Sequence, residues 1–296
     1  MLIKQLSIIG VGLIGGSLAR ALKRKKACGR VVGFGRDMAN LQKAVDLGVI
    51  DEYSLTIASA VKDANVVVLA TPLTTTETLL KSMRSYLRDD VIITDVGSAK
   101  GSVVAVARKT LDKLFPDFVP GHPIAGKEKS GVEASVADLF EDHRVILTPL
   151  PETSINALTL VNEMWELTGA EVVHVTVDQH DEILAATSHL PHMLAYALVD
   201  CLAGMQDRDE IFKFAAGGFA DFSRIASSNP QMWHDICFSN RKQLLKALDL
   251  FDGYLNNIRA AIANDDSDEL LKIFSRAKET RDRFTLVRSK RNDATE

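Results

Sequence analysis

The sequence predicts an α/β protein: a doubly wound parallel sheet followed by an all-helical part. Three observations predict it. Up to about residue 176, short β-branched runs alternate with amphipathic stretches, and such alternation builds parallel sheets with helices on both faces. Beyond that point the strand signal stops and apolar residues recur at three- and four-residue steps, the helical period. A glycine cluster, Gly10, Gly12 and Gly15, falls where the first strand turns into the first helix. The expected domains are therefore 1–176 and 177–296.

Each element has its own signal. Residues 6–10 read as a strand, and 13–26 as a helix with Leu18, Ala21 and Leu22 on one face. A second strand covers 31–35, and a helix over 38–47 stops at Gly48, a residue that favours helix ends. The run NVVVLA (65–70) is continuous in apolar residues, as a strand buried on both faces requires. Helix 75–87, strand 91–95, helix 100–114 and strand 118–121 continue the alternation. Strands at 145–148 and 171–175 flank a helix at 154–168. In the second half, long helices are expected at 178–204, 231–263 and 267–287, with a glycine-bearing link at Gly217 and Gly218. These few helices carry more apolar surface than they can bury alone, so a homodimer through the helical domain is expected.

Composition narrows the classes. Apolar residues make up 46% and charged residues 25%, as in ordinary globular domains. Lys plus Arg is 35 against 39 for Asp plus Glu, which gives no nucleic-acid footprint. The basic run at 23–26 continues a helix and reads as a solvated end. Cys28, Cys201 and Cys237 are odd in number and far apart, so no disulfide framework is expected and a cytoplasmic setting fits. No apolar stretch approaches the roughly 20 residues of a membrane span, and the glycine-rich start is unlike a signal peptide.

Gly10-Val-Gly12-Leu-Ile-Gly15 follows a strand and opens a helix, the context in which GxGxxG marks a Rossmann-type dinucleotide-binding turn. Gly10 permits the turn, Gly12 admits the pyrophosphate, and Gly15 lets helix and strand pack closely. Leu13 and Ile14, with Thr71 and Pro72 after the third expected strand, complete the expected cofactor contacts. At the end of the second strand, where an acid would bond the ribose of NAD, stands Gly35, followed by Arg36 and Asp37. Arg36 could pair with a 2′-phosphate, which favours NADP. Asp37 leaves NAD open, and Arg36 also reads as a solvated turn residue.

Two expected strand ends carry polar groups at the carboxyl edge, where ligands bind in such sheets: Asp95-Val-Gly97-Ser98-Ala-Lys100 and Gly121-His122-Pro123. His122 is placed to meet a nicotinamide, and an imidazole suits proton removal from a hydroxyl. In the helical half, His189 and His192 are three apart around Pro191 and share a face. Substrate binding ranks first for them, a structural role second and metal third, because no further ligand cluster or HExxH is present. Arg224 follows a glycine pair and could hold a carboxylate.

GVGLIGGSLA, DVGSAK, HPIAGKEKSGVEAS, SHLPH, GGFADFSRIA and the following Pro230-Gln-Met-Trp233 resemble, in order, the prephenate/arogenate dehydrogenase family of tyrosine biosynthesis, as far as about residue 260. The resemblance implies oxidative decarboxylation of prephenate or arogenate, with hydride passing to NAD(P). It assigns deprotonation of the ring hydroxyl to His122 and support of that histidine and the cofactor to Ser98. It gives the ring carboxylate to Arg224 and the substrate pocket to His192, with His189 less firmly placed. Glu128 matches an acid near the pocket mouth. Lys127 stands where a small residue is expected, an extra cation that could favour a side-chain carboxylate or alter discrimination between prephenate and arogenate. From the length, neither a fused chorismate mutase nor a separate regulatory domain is expected. The alternatives are a 3-hydroxyacid-type dehydrogenase, whose lysine motif has no convincing copy here, and a non-catalytic NAD(P)-binding regulator.

Overall fold

Strand β1 (Ile3–Ile9) is buried at every position except Lys4, as the centre of a two-sided sheet must be. In the computed structural model the chain continues through α1 (Leu13–Arg24), β2 (Cys28–Phe34), α2 (Met38–Asp46), β3 (Glu52–Ser54), α3 (Ile57–Val61), β4 (Val66–Leu69), α4 (Thr76–Met83), β5 (Ile92–Asp95), α5 (Gly101–Leu111) and β6 (Phe118–Val119). Residues 1–127, 129–206 and 208–293 are described, with the backbone alone at 208–209 and 286–293.

The six strands form one parallel sheet in the order β3-β2-β1-β4-β5-β6. Side chains alternate between its faces. Ile8, Val66 and Val68 pack with Leu18, Leu22 and Leu41 of α1 and α2. Ile9, Val67 and Ile93 pack with Leu80, Met83, Val103 and Ala107 of α4 and α5. The chain leaves β1 in one direction to β2 and returns to β4 on its other side, so the crevice for a ligand opens at the carboxyl ends of β1 and β4. β3 and α3 were not expected; at three and five residues they are too short to show a period.

The sheet does not continue as expected beyond β6. Pro120 lacks an N–H and interrupts the ladder, while its carbonyl accepts from Thr148 N at 2.9 Å. The expected strand over 118–121 is therefore split. β7 (Gly121–Pro123) starts a separate three-stranded sheet with β8 (Arg144–Leu147), antiparallel to it, and β9 (Glu171–His174), parallel to β8. Helix α6 (Ile155–Glu166) makes the crossover between β8 and β9.

The expected helix over 178–204 is three pieces: α7 (Val177–Leu184), a π-helical turn Ala185–His189, and α8 (Leu190–Ala203). Pro191 cannot return a hydrogen bond to the preceding turn, and a π-bulge absorbs the mismatch. Then follow α9 (Arg208–Lys213), α10 (Gly217–Ser223), α11 (Pro230–Ser239), α12 (Arg241–Ala263) and α13 (Ser267–Asp293). Gly217 and Gly218 open α10 rather than forming a link. The expected helix 231–263 breaks at Asn240, whose φ of −112° and ψ of 29° leave the helical region.

The chain divides into two compact units, Met1–Gln243 and Leu244–Glu296. The helices between 177 and 243 thus belong to the same unit as the sheet. Polar ties account for this: Lys100 N and Gly101 N donate to Asp181, and Thr74 Oγ1 donates to Asp235, all at 2.8–2.9 Å. The second unit is helical and exposes Leu250, Tyr254, Leu255, Ile262, Leu271 and Phe274. Among the described residues, no helix is long and apolar enough to cross a membrane.

Candidate active site

The glycine turn is shaped by what a side chain would strike. Gly10 has φ +103°, and a Cβ there would lie 2.4 Å from the Ala70 carbonyl oxygen. At Gly15 a Cβ would lie 2.4 Å from the Gly10 carbonyl oxygen and 2.7 Å from Ile8, so α1 packs closely against β1 only because residue 15 is glycine. Above Gly12 nothing lies within 4 Å of such an atom. Gly12 caps α1 without a side-chain hydrogen bond, leaving the first N–H groups for an anion. The cradle therefore fits a dinucleotide pyrophosphate. Leu13, Ile14 and Thr71 are half-buried around it and Pro72 is exposed. Arg36 is exposed beyond β2, while the Asp37 carboxylate accepts from Asn40 N at 3.1 Å and caps α2.

His122, in β7, is buried. Its Nδ1 lies 2.9 Å from Nε2 of His180 in α7, and His180 Nδ1 lies 2.8 Å from Asp181 Oδ1. The Asp181 oxygens also accept Lys100 N and Gly101 N at 2.8 Å each, at the start of α5. Lys100 is fully buried; its Nζ donates to Asp95 and, at 2.7 Å, to the Gly121 carbonyl. One ion pair thus ties the end of β5 to the strand that carries His122. Burial, with His180, Lys100 and His189 around it, holds the His122 imidazole well below the usual histidine range. It is neutral at pH 7, as a proton acceptor must be.

The helical side chains meet on Trp233 of α11. The His192 ring stacks on the indole at 3.6 Å and 21°, and His189 meets it edge-on at 6.1 Å. His192 Nδ1 donates to the Ser188 carbonyl at 2.9 Å, inside the turn opened by Pro191. Burial pulls His192 down and the nearby Arg224 cation pulls it further, against that hydrogen bond. His189 is pushed down to about 4, chiefly by burial. Among the described residues the buried Trp233 Nε1 has no hydrogen-bond partner, a donor a ligand could take.

The expected residues fall into groups. His189 is close enough for its charge to act on His122, and His189, His192 and Arg224 are linked through Trp233 and the field between His192 and Arg224. Ser98 is half-buried before α5, and its backbone faces His189; the ring partner of His122 is His180, not Ser98. Lys127 is exposed after β7, and Glu128 lies outside the described residues. Sequence reasoning missed His180 and Asp181 as parts of this cluster; it placed Asp95 and Lys100 at a polar strand end and Trp233 in a motif without giving any of the three a role. Among the described residues no group of three or more His, Cys, Asp or Glu side chains could hold a metal ion.

Comparison with known proteins identifies the family. Residues 18–174 match the family described as prephenate dehydrogenase, nucleotide-binding domain, and residues 176–276 match prephenate dehydrogenase, dimerization domain. The cyclohexadienyl dehydrogenase of Zymomonas mobilis is 39% identical over 289 residues, covering 94% of this chain and 95% of that protein. The structure of prephenate dehydrogenase from Aquifex aeolicus, in complex with hydroxyphenyl propionate and NAD+, superposes with a TM-score of 0.90 at 39% identity, covering 95% of this chain and 98% of that one. Synechocystis arogenate dehydrogenase gives 0.81 at 28% identity, covering 95% and 99%. With both parts matched and near-complete coverage, the chain belongs to the prephenate dehydrogenase family.

Proposed function

We propose that this chain oxidatively decarboxylates prephenate, arogenate or both, to 4-hydroxyphenylpyruvate or tyrosine. Residues 1–176 serve the nucleotide, and 177–296 serve the substrate and a homodimer contact. The bound nicotinamide supplies the acceptor for the hydride on the ring carbon that bears the hydroxyl. His122 takes the hydroxyl proton as that carbon becomes a carbonyl. The electrons of the bond to the ring carboxylate then flow into the ring, carbon dioxide leaves, and the phenol oxygen takes its proton back from His122. Arg224 holds the ring carboxylate until it leaves, His192 and His189 line the pocket, and Lys127 faces the side-chain carboxylate. Ser98 would support His122 and the bound nicotinamide.

The observation that carries the reading is a buried, neutral His122 beside the helical cluster of His189, His192 and Trp233. A steady-state assay crossing both substrates with NAD+ and NADP+ tests it. Reduced nicotinamide should form with at least one substrate, matched one to one by aromatic product. Absence of turnover in all four combinations would remove the assignment.

NADP+ is the cofactor we favour, because Gly35 offers no carboxylate to repel a 2′-phosphate and Arg36 is exposed beside it. Arg36→Ala should raise the Kd for NADP+ roughly tenfold more than that for NAD+, as loss of one charge-assisted contact would. Equal changes for the two nucleotides would end the phosphate argument. The homodimer reading rests on the exposed apolar side chains of the second unit, a surface that a partner would cover.

A further inference from the structure

We propose that His180 and Asp181 are positioning residues that fix the tautomer and orientation of His122. The inference rests on His122 being the base and adds the groups through which it is set. Asp181 can only accept at Oδ1, where it already takes Lys100 N, so His180 must donate from Nδ1 across 2.8 Å. Nε2 of His180 is then a lone pair, and His122 must donate to it from Nδ1 across 2.9 Å. The Nε2 of His122 is left unprotonated, with its lone pair available for a substrate hydroxyl.

The anchor of this chain is rigid. Asp181 Oδ2 accepts Gly101 N, and the Asp181 backbone carbonyl accepts Asn240 Nδ2 at 2.7 Å. A capping box of Thr176 and Gln179 fixes the start of α7. The relay thus joins the ends of β5 and β7 to α7 and to the break after α11. The charged and titratable groups around His122 are His180, Asp181, His189 and the Lys100–Asp95 pair.

His180→Leu removes the acceptor for His122 Nδ1–H. His180→Gln keeps an acceptor, its Oε1, near the position of Nε2. In the full-length protein, the Leu variant should lose about 10- to 100-fold in kcat, as loss of an outer partner does elsewhere. Substrate KM and cofactor Kd should stay near wild type, and the Gln variant should recover most of the turnover. Equal kcat in the two variants, whether both near wild type or both reduced alike, would overturn the proposal, because the acceptor would not matter. Wild-type turnover in His122→Asn, run alongside, would instead remove His122 as the base and the relay with it.

Discussion

His122→Asn is expected to lower kcat by about 10²- to 10⁴-fold, the usual worth of general acid–base catalysis. Asparagine keeps an N–H close to the position of Nδ1 and can still donate to His180 Nε2, so the fold around β7 should hold. It has no basic nitrogen to receive a proton. The glycine cradle is built by β1, α1 and Ala70, none of which this substitution touches, so NAD(P)+ should bind with unchanged Kd. A kcat within threefold of wild type would show that another group removes the proton. Loss of nucleotide affinity would show that the ring serves the cofactor.

Arg224→Ala should act differently, raising substrate KM roughly 10- to 100-fold while kcat falls only a few fold. The guanidinium sits at the end of α10 and is felt by His192, which stacks on Trp233. A carboxylate held there is bound in the ground state and in the transition state, until it departs as carbon dioxide, so its loss weakens binding more than turnover. A second signature follows from the field between the two residues. The Arg224 cation pulls the His192 pKa down, so its removal should shift the His192 titration upward. An unchanged KM with an unmoved His192 would take Arg224 out of the pocket.

Much of this was legible in the sequence where a local rule sufficed. The glycine spacing at 10, 12 and 15 gave the turn because strand and helix periods flank it on both sides. The apolar run of β4 marked a doubly buried strand. HPIAG and SHLPH pointed to His122 and His192 through their positions at a strand end and around a proline. The rest depends on contacts across large separations. His180 and Asp181 look like polar residues in the first turns of a surface helix until α7 packs on α5. Lys100 looks like a solvated lysine until it is buried against Asp95. Trp233 becomes a pocket wall only once α11 brings it against His189 and His192 of the preceding helical pieces. The single sheet expected through 175 failed for a local reason: Pro120 was counted inside a strand although it cannot donate to a ladder.

The central claim is that one neutral imidazole accepts the substrate proton, and the pH dependence of kcat/KM reads it directly. Because the His122 pKa is held well below 6.5, the base is unprotonated and active above that value. It is lost only as the pH falls through its lowered pKa. The wild-type profile should therefore stay flat from about pH 7 downward and then drop along a limb below 6.5, and that limb should be missing from the residual activity of His122→Asn. The same limb persisting unchanged in the variant would assign the titrating group elsewhere and contradict the account.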